Sequence, residues 1–179
     1  MTALPKGLRR LVRAAGGLTL FGALALVIGS IWFWASPEWV KEAAPDISGV
    51  RPEFLVIDER ARLLGALGSL PLMVVTLFGL WHLWRLFGEY GAGQCFEPGT
   101  QMHLRRFAWA LMFATLLQPV QSAWLSVAFT IGNPPGKQWL HIGVSSDLFL
   151  PLLTSAVLLT IAFVLSEASR IAQENGQFV

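Results

Sequence analysis

Two histidines are the residues of this chain best suited to coordination chemistry. His82 and His103 lie near the ends of two long apolar runs, and Trp81, Trp84 and Tyr90 would line a site between them. Imidazole nitrogens ligate haem iron and other transition metals. No C-x-x-C-H or H-E-x-x-H motif accompanies them,. The favoured interpretation is therefore a pair of interfacial histidines that hydrogen-bond locally, with haem or metal binding as the alternative, and no cofactor or metal is predicted.

Polar side chains inside a third apolar run are the second candidate site. Gln118, Gln121 and Ser122 share one face of a helix because they are three and four residues apart,. An amide in hydrocarbon without a partner is costly, so these side chains are expected to face other helices. Hydrogen bonds between helices are the favoured role. The alternative is a polar cavity that binds a small molecule or a lipid.

The basic and sulfur-containing residues between the second and third runs are the remaining candidates. Arg85, Arg105 and Arg106 either bind an anionic lipid head group or only orient the chain in the membrane,. The single cysteine, Cys95, excludes an intramolecular disulfide,. An inert thiol is the favoured interpretation of this residue, and palmitoylation is the alternative. No Ser/His/Asp or Cys/His arrangement can be assembled from the sequence, so no catalytic residue is predicted.

The composition indicates which kind of protein must position these residues. Hydrophobic residues make up 54% of the 179 residues and charged residues 13%, whereas soluble domains carry about 25% charged residues,. The mean hydropathy is +0.57. A net charge of +2, without a basic stripe, argues against nucleic-acid binding,. The chain is predicted to be an integral membrane protein.

The apolar residues fall into four runs, each long enough to cross a bilayer as a helix. The sequence therefore predicts an all-α fold, a single membrane domain over residues 1–179 that forms an antiparallel bundle of four transmembrane helices. Its spans are residues 11–35, 63–87, 107–130 and 148–165, joined by an outer loop, 36–62, and a cytoplasmic loop, 88–106.

Capping signals predict where several helices begin. Ser36-Pro37 indicates a short helix that ends before Pro45, because proline disrupts helix interiors,. Asp58 is expected to cap the second long helix, and the third long helix should start near Pro98,.

The distribution of Lys and Arg predicts the orientation. Eight lie at the termini and in the second-to-third connection, against five in the other two loops. The positive-inside rule then places both termini in the cytoplasm. The membrane is expected to be a bacterial inner membrane.

The second-to-third connection, LFGEYGAGQCFEPGTQMHLRRFAWALM, resembles the hallmark of an uncharacterised bacterial membrane family, domain of unknown function 2975. The matching residues are Tyr90, Gly93, Phe96, Glu97-Pro98, Leu104 and Arg105, and in the tail Glu167, Arg170, Glu174-Asn175 and Phe178-Val179. Gly99-Thr100 departs from the acidic or amide pair that is usual after the proline. The resemblance implies four spans across nearly the whole chain and implies no established activity.

Three functions are consistent with these observations. The first is a non-enzymatic accessory, scaffold or regulatory subunit that acts through a protein partner or a second copy of itself. It is favoured because the apolar cores of the spans contain no Asp, Glu, Lys or Arg,. The second is a small-molecule or lipid binder or transporter built around Gln118 and Gln121, and the third is a haem or metal protein that uses His82 and His103. Membrane lipids are expected partners, and nucleic acid is not.

Overall fold

The computed structural model describes residues 6–93, 98–134 and 136–176, and this part of the chain contains helices and no strand. The α-helices are α1 (Lys6–Ala35), α2 (Pro37–Ser48), α3 (Glu59–Gly91), α4 (Pro98–Thr130) and α5 (Phe149–Gly176). Single 3₁₀ turns, Pro52–Phe54 and Ser146–Leu148, precede α3 and α5. The predicted all-helical fold is confirmed.

Four of these helices are long and apolar enough to cross a membrane, which confirms the predicted number. The candidate spans are Gly7–Ala35, Glu59–Gly91, Gly99–Thr130 and Ser146–Ile171. A bilayer core of about 30 Å needs about 20 helical residues. Leu18, Phe21 and Ile31 of α1 expose half or more of their surface. Such surfaces are stable in lipid and costly in water, so the chain is a membrane protein.

The predicted starts of α2, α3 and α4 agree with the structure. Pro37 is the first residue of α2, and α4 begins at Pro98. The carboxylate of Asp58 accepts the backbone N–H of Ala61 at 2.7 Å, which satisfies one of the donors left unpaired at the start of α3,.

The predicted end of α2 was wrong. The helix continues through Pro45 to Ser48 and ends at Gly49, where the backbone has a φ of 66°. The N–H of Gly49 donates to the carbonyl of Pro45. Val40, Ala44 and Ser48 are buried on one face of this helix. Packing of that face offsets the hydrogen bond that proline removes.

The described residues divide into two compact units. The first unit takes its residues from Met1–Leu24, Val75–Phe113 and Phe149–Val179. It therefore contains the starts of α1 and α4, the end of α3 and the whole of α5. Its buried centre is formed by Leu86, Leu104 and Ala162, with Tyr90 packed against them. The buried side chains of Gln101 and Ser169 join the start of α4 to the end of α5, since the amide of Gln101 donates to the Ser169 hydroxyl.

The second unit comprises Ala25–Val74 and Ala114–Leu148. Its core is built from α2, the start of α3 and the end of α4, and consists of Val40, Ala44, Ala61, Leu125 and Phe129. The ring of Trp34, at the end of α1, lies 6.4 Å from that of Phe129. This unit also contains Gln118, Gln121 and Ser122, the polar residues predicted to share one face of α4.

Candidate functional site

The polar face predicted on α4 is longer than the two amides and one serine. Gln118, Ser122, Ser126 and Thr130 follow one another at four-residue intervals, which keeps them on one side of the helix,. Ser126 and Thr130 are completely buried. The spacing that singled out Gln118 and Ser122 also includes these two hydroxyls, which were missed.

The two buried hydroxyls hold the chain that follows α4. Ser126 Oγ accepts the backbone N–H of His141 at 2.9 Å, and Thr130 Oγ1 accepts that of Trp139 at 3.2 Å. The Asn133 amide donates to the carbonyl of Phe54 at 2.7 Å, which ties the same segment to the loop before α3. Residues 139–145 are thereby fixed beside α4 although they form no regular structure,.

This segment closes one side of a polar cavity of about 740 Å³ in the second unit. Gln118, Gln121 and Ser122 line the cavity from α4, while Asp46 contributes from α2. The opposite lining comes from His141, Gly143, Ser145 and Asp147. No hydrogen bond joins either glutamine side chain to another described residue, so both amides are available to a ligand. The interhelical hydrogen bonds expected of them are therefore not found in this part of the chain.

An apolar pocket of about 430 Å³ lies on the other side of Gln121. It is formed between α3 and α4, with Leu64, Leu67, Pro71, Leu117, Val120 and Trp124 among its lining residues. The indole N–H of Trp124 already donates to the carbonyl of Leu64 at 2.8 Å. Gln121 lines both the polar cavity and the apolar pocket. In the second unit, the polar cavity and the apolar pocket therefore adjoin each other at Gln121.

Three residues of the polar cavity were not among the sequence-based candidates. Asp46 comes from α2, within the predicted outer loop 36–62, and His141 and Asp147 come from the connection between α4 and α5, far away in the sequence. Both loops were predicted on the same side of the membrane, which was the one available signal. Residue type and spacing could not indicate that the loops approach the glutamines of α4.

The two histidines meet directly in the first unit. Their Nδ1 atoms are 2.7 Å apart, and His82 is buried. Nε2 of His103 lies 3.3 Å from a carboxylate oxygen of Glu89, one or two turns after His82 on α3. If His103 donates its Nε2–H to this carboxylate, its Nδ1 is an acceptor, and His82 must donate. The sequence suggested no acidic partner for this pair, and the structure supplies Glu89.

This arrangement withholds the two Nδ1 atoms from the haem or metal ligation that was the alternative interpretation. The lone pair of one Nδ1 is occupied by the proton of the other, so neither atom is open to a metal. Among the described residues no group of three or more His, Cys, Asp or Glu side chains could hold a metal ion. The geometry favours a hydrogen-bonded chain of two imidazoles and one carboxylate.

We expect the two histidines to stabilise the protein jointly. In a double-mutant cycle, His82→Phe and His103→Phe should show a coupling of about 0.5–3 kcal/mol in the free energy of unfolding, because each change removes the same hydrogen bond. Reversible unfolding in detergent micelles measures it. His141→Phe, an exposed histidine, is the control and should have little effect. A coupling of zero would show that the contact contributes nothing.

The remaining candidates lie around the same end of the helices. Arg85, Arg105 and Arg106 are exposed, and the guanidinium of Arg105 lies 5.9 Å from the ring centre of Phe163. Tyr90 is half-buried and belongs to the core of the first unit. Cys95 lies outside the described residues. The three arginines therefore share a surface with the histidine pair without being part of it.

The family comparison covers most of the chain. Residues 40–177 match the family described as "Protein of unknown function (DUF2975)". This range includes the polar cavity, the apolar pocket and the histidine pair, and it leaves out the first 39 residues. No curated protein and no solved structure matches the chain. The match spans well over half of the sequence, and the chain belongs to the DUF2975 family of proteins of unknown function.

Proposed function

We propose that this chain is a non-enzymatic membrane protein that binds a small amphiphilic molecule in its second unit. The polar cavity would receive a neutral or cationic head group, and the apolar pocket would receive the hydrocarbon part. The single observation that carries this proposal is that Gln121 lines both spaces. A molecule that crosses from one to the other would pass directly over its side chain.

The charge of the polar cavity favours a cationic head group over an anionic one. Two carboxylates, Asp46 and Asp147, line it, and no Lys or Arg is among the described residues that do so. Opposite charges attract more strongly near a low-dielectric wall than in bulk water. The amides of Gln118 and Gln121 provide both donors and acceptors, which suits an ammonium or hydroxyl-bearing head group.

The apolar pocket has the properties expected of a site for a hydrocarbon chain. Apart from Gln121, its described lining consists of apolar residues and one glycine. The one other polar group there, the indole N–H of Trp124, is already hydrogen-bonded. Ligand sites of this size usually combine an apolar lining with a few polar groups that fix orientation, as Gln121 would do here.

We propose that the four spans form an antiparallel bundle in a bacterial cytoplasmic membrane, with both termini on the cytoplasmic side. Support comes from contacts within the first unit, where the start of α1 and the end of α3 line one cavity and Gln101 at the start of α4 donates to Ser169 near the end of α5. Alternating crossings bring these four ends to one side of a membrane. The eight basic residues counted in the sequence also belong to this unit, and the positive-inside rule then assigns it to the cytoplasmic side,.

We further propose that the bound molecule acts through a second protein, which makes the chain an accessory or regulatory subunit. A binder without chemistry of its own influences the cell by changing what it associates with. Mild solubilisation of native membranes should recover a stoichiometric partner, or a second copy, whose retention depends on Gln121. If both the unaltered chain and the Gln121→Leu variant were recovered only as monomers, this role would be contradicted.

Binding can be tested with simple amphiphiles in phosphatidylcholine nanodiscs. Native mass spectrometry would compare the binding of decyltrimethylammonium, decyl sulfate and tetramethylammonium. The two decyl surfactants would be kept below their critical micelle concentrations. We expect one decyltrimethylammonium per chain and much weaker adducts of the other two, because one carries the wrong charge and the other lacks a chain. Equal binding of all three would contradict the proposed site.

Substitutions in the two spaces then show where decyltrimethylammonium binds on the chain. Gln118→Leu combined with Gln121→Leu should weaken this binding about tenfold or more, since two amide oxygens whose dipoles attract the cationic head are lost. Asp46→Asn with Asp147→Asn should remove the preference for the cation and leave the decyl chain bound. Leu116→Ala, an exposed residue of the same helix outside both spaces, is the matched control. If Leu116→Ala weakened binding as much as the glutamine variant, the adduct would lie elsewhere.

A further inference from the structure

We propose that a second, independent site in the first unit binds the phosphate-bearing head group of an anionic phospholipid. The site is a cavity of about 330 Å³ between the start of α1 and the end of α3, here called the arginine cavity. Arg9, Arg13, Trp84, Gly17 and Gly88 are among the residues that line it. The inference rests on the membrane placement of these helix ends and not on ligand binding in the second unit.

The cavity exists because both helices present glycine to it. Gly16 and Gly17 line it from α1, and Gly88 and Gly91 line it from α3. A Cβ atom added at Gly17 or Gly88 would meet nothing within 4 Å. The space is therefore open at these positions and is not filled by neighbouring side chains. Gly16 and Gly91 allow close packing instead, since a Cβ atom there would lie 3.6 Å from Phe87 Cβ and 3.7 Å from Val12 Cγ1. Glycine costs helix stability, so Gly17 and Gly88 reserve room for something other than this chain,.

The charges around the cavity favour an anion. Arg9 and Arg13 are four residues apart on α1, so their side chains lie on the same face and repel each other,. None of the described residues that line the cavity is acidic. A phosphate between the two guanidinium groups would relieve the repulsion. The planar guanidinium also matches phosphate geometry with two parallel hydrogen bonds.

The position of the cavity favours a lipid as the source of that phosphate. Trp84 is a partly exposed indole near the end of the α3 span, and tryptophan is enriched at the head-group level of membranes,. Arg9 and Arg13 stand at the start of the α1 span, directly before its apolar part. The exposed side chains of Leu18 and Phe21 follow on α1 and offer an apolar surface to acyl chains. Free phosphate would make no use of that surface.

Lipid retention provides the test. The full-length protein would be placed in nanodiscs of equal parts phosphatidylcholine and phosphatidylglycerol, released, and analysed by native mass spectrometry. We expect one phosphatidylglycerol to remain bound to the chain. Arg9→Gln with Arg13→Gln should reduce its retention about tenfold. Gly88→Leu keeps both arginines and fills the cavity, and should reduce retention by a similar factor.

Arg10→Gln is the control from the same helix, because it removes one positive charge at a residue that does not line the cavity. It should retain phosphatidylglycerol as the unaltered chain does. If Arg10→Gln lost as much lipid as the Arg9→Gln, Arg13→Gln double variant, or Gly88→Leu had no effect, the attraction would be a diffuse property of the basic surface and the site would be disproved. Inorganic phosphate added to the lipid-free protein should not give an adduct of comparable strength, and such an adduct would assign the cavity to a soluble anion. Unfolding temperatures would confirm that every variant is folded.

Discussion

Replacing Phe129 with alanine should lower the free energy of unfolding by about 3–5 kcal/mol, the largest effect expected of a single substitution in this protein. Phe129 is completely buried and lies in the core of the second unit, where α2, the start of α3 and the end of α4 meet. Its ring also lies against the indole of Trp34. Alanine would leave a cavity that a core fixed on several sides cannot close.

The exposed Phe21 of α1 supplies the matched comparison. Phe21→Ala removes the same atoms from a side chain that is 69% exposed, whereas Phe129 is 0% exposed. It should cost far less, because in the membrane this ring is covered by lipid whether or not the protein is folded. Unfolding in detergent by increasing denaturant, monitored by tryptophan fluorescence, would measure both. Equal losses for the two variants would show that Phe129 is not part of a close-packed core.

Gly68→Ala should destabilise the protein by about 1–3 kcal/mol although alanine is the better helix former. Gly68 lies in α3, and a Cβ atom built on it would overlap the indole ring of Trp124. That ring is held in place by the hydrogen bond from its N–H to the Leu64 carbonyl. The added methyl group would displace the ring, break this bond and change the wall of the apolar pocket. Decyltrimethylammonium binding should therefore weaken in the same variant.

Gly88→Ala makes the identical change in the same helix where there is room for it. A Cβ atom at Gly88 would meet nothing within 4 Å, so the helix propensity of alanine should raise stability by about 0.5–1 kcal/mol,. Melting temperatures in detergent would show the opposite signs directly. If both variants became more stable, Trp124 would be able to leave Gly68 without loss, and the close approach would have no structural role.

The sequence by itself determined the features that depend on neighbouring residues. The four long helices follow from apolar runs longer than a bilayer is thick,. The starts of α2, α3 and α4 follow from Pro37, Asp58 and Pro98, whose effects act within one helical turn,. The polar face of α4 follows from the four-residue spacing of Gln118, Ser122, Ser126 and Thr130,. Each of these depends only on periodicity or on contacts close in sequence.

Tertiary structure alone decided which of these local features meet. The end of α2 was wrong in the sequence-based prediction because burial of Ala44 and Ser48 outweighs the disruption at Pro45, and burial depends on distant residues. Asp147 lines the cavity of the α4 glutamines because Ser126 and Thr130 bind the loop before it. Asp46 lines the same cavity because α2 packs against the end of α4. Likewise, His82 contacts His103 although the two residues are distant in the sequence. The arginine cavity also depends on distant residues, because it forms where α1 approaches α3. Side-chain packing between helices fixes the distances between such residues. Residue type and spacing along the chain do not predict these distances.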